Sequence, residues 1–148
     1  MHSAISYYSE NSTFRLKNKR LINAWITEVI RREGKFPKDI SFIFCDDCYL
    51  SGLNETYLKH KNLTDIITFD YCEGKFISGE IYISIDRVKE NAIKFKKTSD
   101  NELCRVMIHG ILHLVGYSDK IRSNKLNMRA KEDECLLLLF QNIPRETY

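Results

Sequence analysis

Residues Ile77 to Ile85 alternate without a break between an apolar set (Ile77, Gly79, Ile81, Ile83, Ile85) and a more polar one (Ser78, Glu80, Tyr82, Ser84). A period of two predicts a β-strand with one apolar and one polar face. An apolar sheet face has to be covered, so the rest of the chain must supply helices. Asp65 to Tyr71 is a second strand-like run, and the short gap holding Glu73 and Gly74 predicts that the two pair as a hairpin. Ile40 to Cys45 is apolar and aromatic and predicts a buried strand; a weaker one is expected near Ile5 or Phe14.

The covering helices are legible from spacing. Leu21, Ile22, Trp25, Ile26, Val29 and Ile30 place an amphipathic helix over 18–33, closed by Gly34 and Pro37. Residues 47–59 predict a helix with Leu50, Leu53, Tyr57 and Leu58 on one side. Val88, Ala92 and Phe95 mark a third. Ser99 and Glu102 have the spacing of a capping box before a helix that runs to about residue 115 and stops at Gly116. A last helix is expected from about Ser123 to Phe140, its Lys131–Glu134 stretch read as solvated. The predicted architecture is α+β, with 1–148 forming one domain. A small mixed four-stranded sheet is covered by about five helices, and the C-terminal half carries the chemistry.

With 43% apolar and 29% charged residues the chain has the profile of a globular protein. A net charge of +3 permits an RNA partner without requiring one. No apolar run approaches the ~20 residues of a membrane span, and the N-terminus has no secretory pattern, so a cytoplasmic location is expected. Five scattered cysteines argue against a disulfide framework. The acids inside Cys45-Asp46-Asp47-Cys48 disfavour the thiolate that redox chemistry needs.

The chemistry is concentrated in His109-Gly-Ile-Leu-His113-Leu-Val-Gly116-Tyr-Ser-Asp119. Histidines four apart on a helix lie one turn apart on one face and can meet one ion. Gly116 then ends the helix and lets the chain return Asp119 to the same point. Three protein ligands leave a position open, the mark of a catalytic rather than a structural site. The alternative, a pair of core or solvated histidines, must place imidazoles among Ile108, Leu112 and Leu114 without partners, which carries a desolvation cost. The expected cofactor is one divalent ion, most simply zinc. A metallopeptidase of this spacing carries its general base directly after the first histidine. Here that residue is Gly110, so water activation falls to the metal or to a base from elsewhere.

The motif resembles that of the YbeY family of ribosomal RNA maturation endoribonucleases, H-G-x-L-H-L-x-G-Y-D-H. Leu53-Asn54-Glu55-Thr56-Tyr57 is similar to that family's L-N-x-x-Y, Thr64-Asp65-Ile66-Ile67-Thr68-Phe69 to its T-D-V-L-S-F, and Gly79-Glu80-Ile81 to its G-D-I. The resemblance covers residues 53–119. It implies a zinc-dependent, single-strand-specific endoribonuclease of ribosomal RNA maturation and ribosome quality control. The expected partners are a ribosomal RNA precursor, the small ribosomal subunit and its assembly factors. Asp119 stands where the family usually has histidine, which should weaken the ion as a Lewis acid and widen tolerance toward harder metals such as Mn²⁺. Leu58 stands where the family commonly has a phosphate-holding arginine; Lys59, His60 and Lys61 follow at once and could supply that charge. Thr68 is a further candidate for substrate contact. Asp65 and Glu80 are the candidate catalytic acids if the hairpin edges the metal site, but the sequence names no general base.

Two other readings stay open. One is a small metallopeptidase or other metal hydrolase of metzincin-like spacing. The other is a ribosome-associated binding factor whose metal is mainly structural.

Overall fold

A computed structural model describes residues 4–58 and 64–142. Its sheet is built from β1 (Ile5–Ser9), β2 (Phe36–Cys45), β3 (Ile66–Asp70) and β4 (Phe76–Ser84) in the order β1-β2-β4-β3. The pairs β1–β2 and β2–β4 are parallel, and β3–β4 is the antiparallel hairpin. The sheet is therefore mixed and four-stranded, as the sequence predicts.

Five helices accompany it: α1 (Lys19–Arg32), α2 (Asp47–Leu53), α3 (Ile85–Lys94), α4 (Ser99–Val115) and α5 (Arg122–Asn142). The main core lies between α1, α4 and the sheet face bearing Ile40, Phe42, Phe44, Ile81 and Ile83. Ile22, Trp25, Ile26, Val29 and Ile30 are all buried, the stripe that the spacing in α1 predicts. Burial of such side chains contributes about 1.5–3 kcal/mol each. Trp25 also donates its indole N–H to the Cys135 carbonyl at 2.8 Å, tying α1 to α5. No helix among the described residues is long and apolar enough to cross a membrane.

Several local expectations change. The strand β2 starts at Phe36 rather than Ile40, and the register shifts between Pro37 and Asp39, where proline has no N–H to give the ladder. Ile85 belongs to α3, not to the strand: Ser84, fully buried, accepts from the Arg87 amide as its N-cap. The polar face of β4 is not open. Tyr82 packs between Tyr49 and Phe69 beneath α2. After Leu53 the helix relaxes into a π-helical turn, Asn54–Leu58, and leaves Tyr57 and Leu58 exposed instead of on a buried stripe. At the start of α4 the cap is Thr98, whose hydroxyl accepts from the Asn101 amide. Glu102 is thereby free of the capping box and is buried.

Candidate metal centre

The helix α4 carries the first two candidate ligands and lies directly on the hairpin. Its contact with the sheet is so close that a Cβ on Gly110 would come within 2.9 Å of Ile81 Cγ2 and 3.0 Å of Ile66 Cδ1. Position 110 thus faces the β3–β4 surface, while His109 and His113 open onto the cleft along β3 and His109 also meets α5. The helix stops at Gly116, at φ 116°, where most side chains are strained. Lys35 Nζ donates to the Val115 carbonyl at 2.6 Å, placing a cation on the negative end of the helix. From there Tyr117 and Ser118 lead Asp119 back toward the histidines.

The three side chains meet. His109 Nε2 lies 3.0 Å from His113 Nε2 and 3.2 Å from Asp119 Oδ2, and His113 Nε2 lies 3.4 Å from that same oxygen. Bonds of about 2.05 Å to a tetrahedral ion would set its donors about 3.3 Å apart. The triangle matches one face of such a tetrahedron, so the donor set fits a divalent ion. Among the described residues this is the one group of three or more His, Cys, Asp or Glu side chains close enough to hold a metal.

His109 is oriented from behind. Its Nδ1 lies 2.6 Å from Glu132 Oε2 on α5, which leaves Nε2 for the ion. Glu132 is 4% exposed, and its other oxygen accepts from Arg105 Nη1 at 2.9 Å. The expectation that this acidic stretch is solvated is corrected for Glu132. It occupies the buried stripe of α5 with Met128, Cys135, Leu136 and Leu139, and a carboxylate at a stripe position was the signal available in the sequence. Burial opposes a charged His109 ring, but the hydrogen bond and charge of Glu132, with the charges of Asp119 and Asp65, outweigh it and raise its pKa.

Two clefts adjoin the triad, and His109 and Asp119 line both. One, of about 500 Å³, runs along β3 past Leu58, Thr64, Asp65, Thr68 and Asp70. The other, of about 410 Å³, opens between α3, α4 and α5. Asp65 lines both, and burial raises its pKa. Thr68 sits in the β3 cleft with the triad and does not line the cleft between the helices. Glu80 does not join them. It lies on the sheet face opposite α4, where Tyr71 donates to it at 2.9 Å. Neither cleft includes it. Alternation decides this: Gly79 and Ile81 face α4, so Glu80 cannot. Lys59, His60 and Lys61 lie outside the described residues, although Leu58 and Thr64, which flank that stretch, both line the β3 cleft.

The thiols offer no competing centre. Cys45 is buried, and burial together with Asp46 and Asp47 pushes its pKa up to about 12.

The model of the endoribonuclease YbeY family matches residues 5–139. The chain belongs to the YbeY family. The chain is similar to Endoribonuclease YbeY of Karelsulcia muelleri, at 48% identity covering 91% of this chain and 95% of the relative. It is 50% identical to Endoribonuclease YbeY of Flavobacterium psychrophilum, covering 84% and 89% respectively. Among solved structures, the solution structure of TM1509 from Thermotoga maritima superposes with a TM-score of 0.66 at 27% identity, covering 93% of this chain and 89% of the other. Membership in the YbeY family makes the chain an endoribonuclease, a hydrolase of RNA phosphodiester bonds, and sets aside the metallopeptidase reading.

Proposed function

We propose that this chain is a zinc-dependent, single-strand-specific endoribonuclease that acts on ribosomal RNA precursors in the cytoplasm, in ribosome maturation and quality control. The observation that carries the proposal is the triangle of His109, His113 and Asp119 donor atoms, set between two clefts in a YbeY-family fold. One divalent ion bound there supplies Lewis acidity toward a phosphate oxygen and lowers the pKa of a water or ribose 2′-hydroxyl.

The chain's own residues do the rest. Glu132 fixes the His109 tautomer so that Nε2 faces the ligand triangle. Asp65, desolvated at the wall shared by both clefts, is placed to take or order the nucleophile's proton. Thr68 Oγ1 lines the β3 cleft as a contact for the RNA backbone. Lys59, His60 and Lys61 supply the phosphate-attracting charge in place of the arginine absent at Leu58. Gly110 supports a nuclease over a peptidase, because no side chain fits where a peptidase keeps its base.

The test begins with elemental mass spectrometry on untagged protein. About one zinc per chain, lost in Asp119→Ala, is expected of a site with three protein ligands. Loaded protein should cut single-stranded ribosomal RNA fragments and leave duplexes intact, and His109→Ala should abolish cutting. Stably folded, metal-free protein without cleavage under any metal would overturn the proposal in favour of a binding factor.

A further inference from the structure

The cleft between α3, α4 and α5 contains a polar group that the metal centre does not use. Glu102, in the first turn of α4, is 7% exposed and lines that cleft. No hydrogen bond or ion pair holds its carboxylate among the described residues, whereas its neighbour Glu132 is engaged by both His109 and Arg105. Burial raises the Glu102 pKa and the charge of Asp65 adds to the effect, while the charges of Arg105 and Arg129 oppose it. Among the described residues no side-chain oxygen is both buried and unpartnered, so the Glu102 carboxylate opens to the cleft as an acceptor for whatever donors enter it.

The other walls indicate what enters. Phe95, at the C-terminal end of α3, is 51% exposed and presents an aromatic ring at the cleft. Arg129 on α5 also lines the cleft, its side chain 58% exposed and 3.9 Å from Glu132. The cleft measures about 410 Å³, within the range of small-molecule sites, and ends at His109 and Asp119. An aromatic platform, a cation and an acceptor-only group set beside a phosphodiester-cleaving centre are the parts of a nucleobase pocket.

We propose that this cleft receives one unpaired guanine of the RNA substrate, with Glu102 accepting from its Watson–Crick edge and Phe95 stacking on its ring. Guanine is singled out because its N1–H and N2–H₂ offer two adjacent donors to one carboxylate. Adenine and cytosine offer a single amino group on that edge, and uracil a single imino group. Arg129 is placed to donate to the acceptor O6 or N7, the pairing that arginine makes with guanine. In a duplex the Watson–Crick edge is occupied, so only an unpaired base can enter. The inference rests on the ribonuclease function proposed above and adds to it a base preference.

Mononucleotides test the pocket without being cleaved. GMP, IMP and AMP would be titrated into the full-length, metal-loaded protein and followed by amide chemical shifts. IMP lacks the N2 amine. We expect GMP to bind about tenfold more tightly than AMP, with IMP between them and shifts centred on Phe95, Glu102 and Arg129. Glu102→Gln should bring the three affinities to within about twofold of each other, and Phe95→Ala should weaken all three by about tenfold. Phe95 is exposed, so the second variant keeps the test usable if the first fails to fold. Equal affinities in the wild type, shifts that map elsewhere, or no binding at all overturn the pocket. Cleavage of single-stranded RNA is scored in parallel with His109→Ala as control. RNA cut without guanine preference removes the pocket and leaves the nuclease. Guanine preference without any cleavage supports the pocket and removes the nuclease. Neither binding nor cleavage removes both.

Discussion

Glu132 reaches across from α5 and meets His109 Nδ1 at 2.6 Å, so one candidate ligand is held by a helix other than its own. A histidine hydrogen-bonded at Nδ1 presents Nε2 in a fixed orientation, and loss of such a partner typically costs 10–100-fold in metal affinity. Glu132→Gln should therefore retain the fold and weaken metal binding by about 10–100-fold, read by chelator competition. Unchanged affinity would mean that Glu132 serves only Arg105.

Glu132→Ala should do more. Arg105 is 16% exposed at its side chain and would lose a buried partner, keeping only Asp133. Breaking a buried pair costs about 3–5 kcal/mol, and the surviving Asp133 contact places the expected loss near the lower end. Urea unfolding of the metal-free proteins measures it.

Gly110→Ala puts a methyl group against Ile81 and Ile66. Overpacking of this kind costs about 1–3 kcal/mol. Because His109 is the adjacent residue, metal affinity should fall along with the melting temperature. Gly110→Glu should not yield a peptidase: its side chain points at the sheet, and casein should remain uncut.

Proton linkage gives the metal-free protein a definite pH dependence. Asp65 and Glu102 have pKa values raised by burial, and His109 is raised through Glu132 despite its burial. Groups that bind protons more tightly when folded contribute stability that is complete below their unfolded values and lost as pH rises through their folded ones. With unfolded values of 3.8 for Asp65, 4.5 for Glu102 and 6.5 for His109, metal-free protein should lose melting temperature from mildly acidic to neutral pH. Metal binding requires His109 deprotonated, so the stabilisation gained on adding metal should grow across the same range. Parallel melts with chelator and with zinc would show the two trends opposed; trends of the same sign would rule this linkage out.

Thiol reactivity separates the cysteines. Cys48 is exposed, Cys45 and Cys135 are buried, and burial pushes Cys104 to about 12 and Cys135 to about 11. A chromogenic disulfide should label Cys48 first in native protein and reach the others fully only after unfolding. Rapid labelling of two thiols, or formation of a Cys45–Cys48 disulfide, would count against this assignment.

Much of this was legible in the sequence because it depends on local periodicity. The strand β4, the stripe of α1, the stop at Gly116 and the ligand spacing from His109 to Asp119 are all carried by near neighbours. What escaped depends on contacts between distant segments. Glu80 sits on a polar strand face, but which face α4 would cover is decided by the close approach at Gly110. Glu132 and Glu102 resemble surface acids until α5 and α4 are placed side by side. The capping position moved by one residue, from Ser99 to Thr98, because both have a hydroxyl and only backbone geometry separates them.

The three candidate ligands do not share one mechanical footing. The helix α4 is clamped to the hairpin at Gly110 and positions His109 and His113 together, whereas Asp119 arrives on a short segment beyond a left-handed glycine. Two donors are thus held by one helix and the third by a turn, although all three already stand within 3.4 Å of one another. A substitution at Gly116 should then displace Asp119 from the triangle while leaving the imidazole pair in place on its helix.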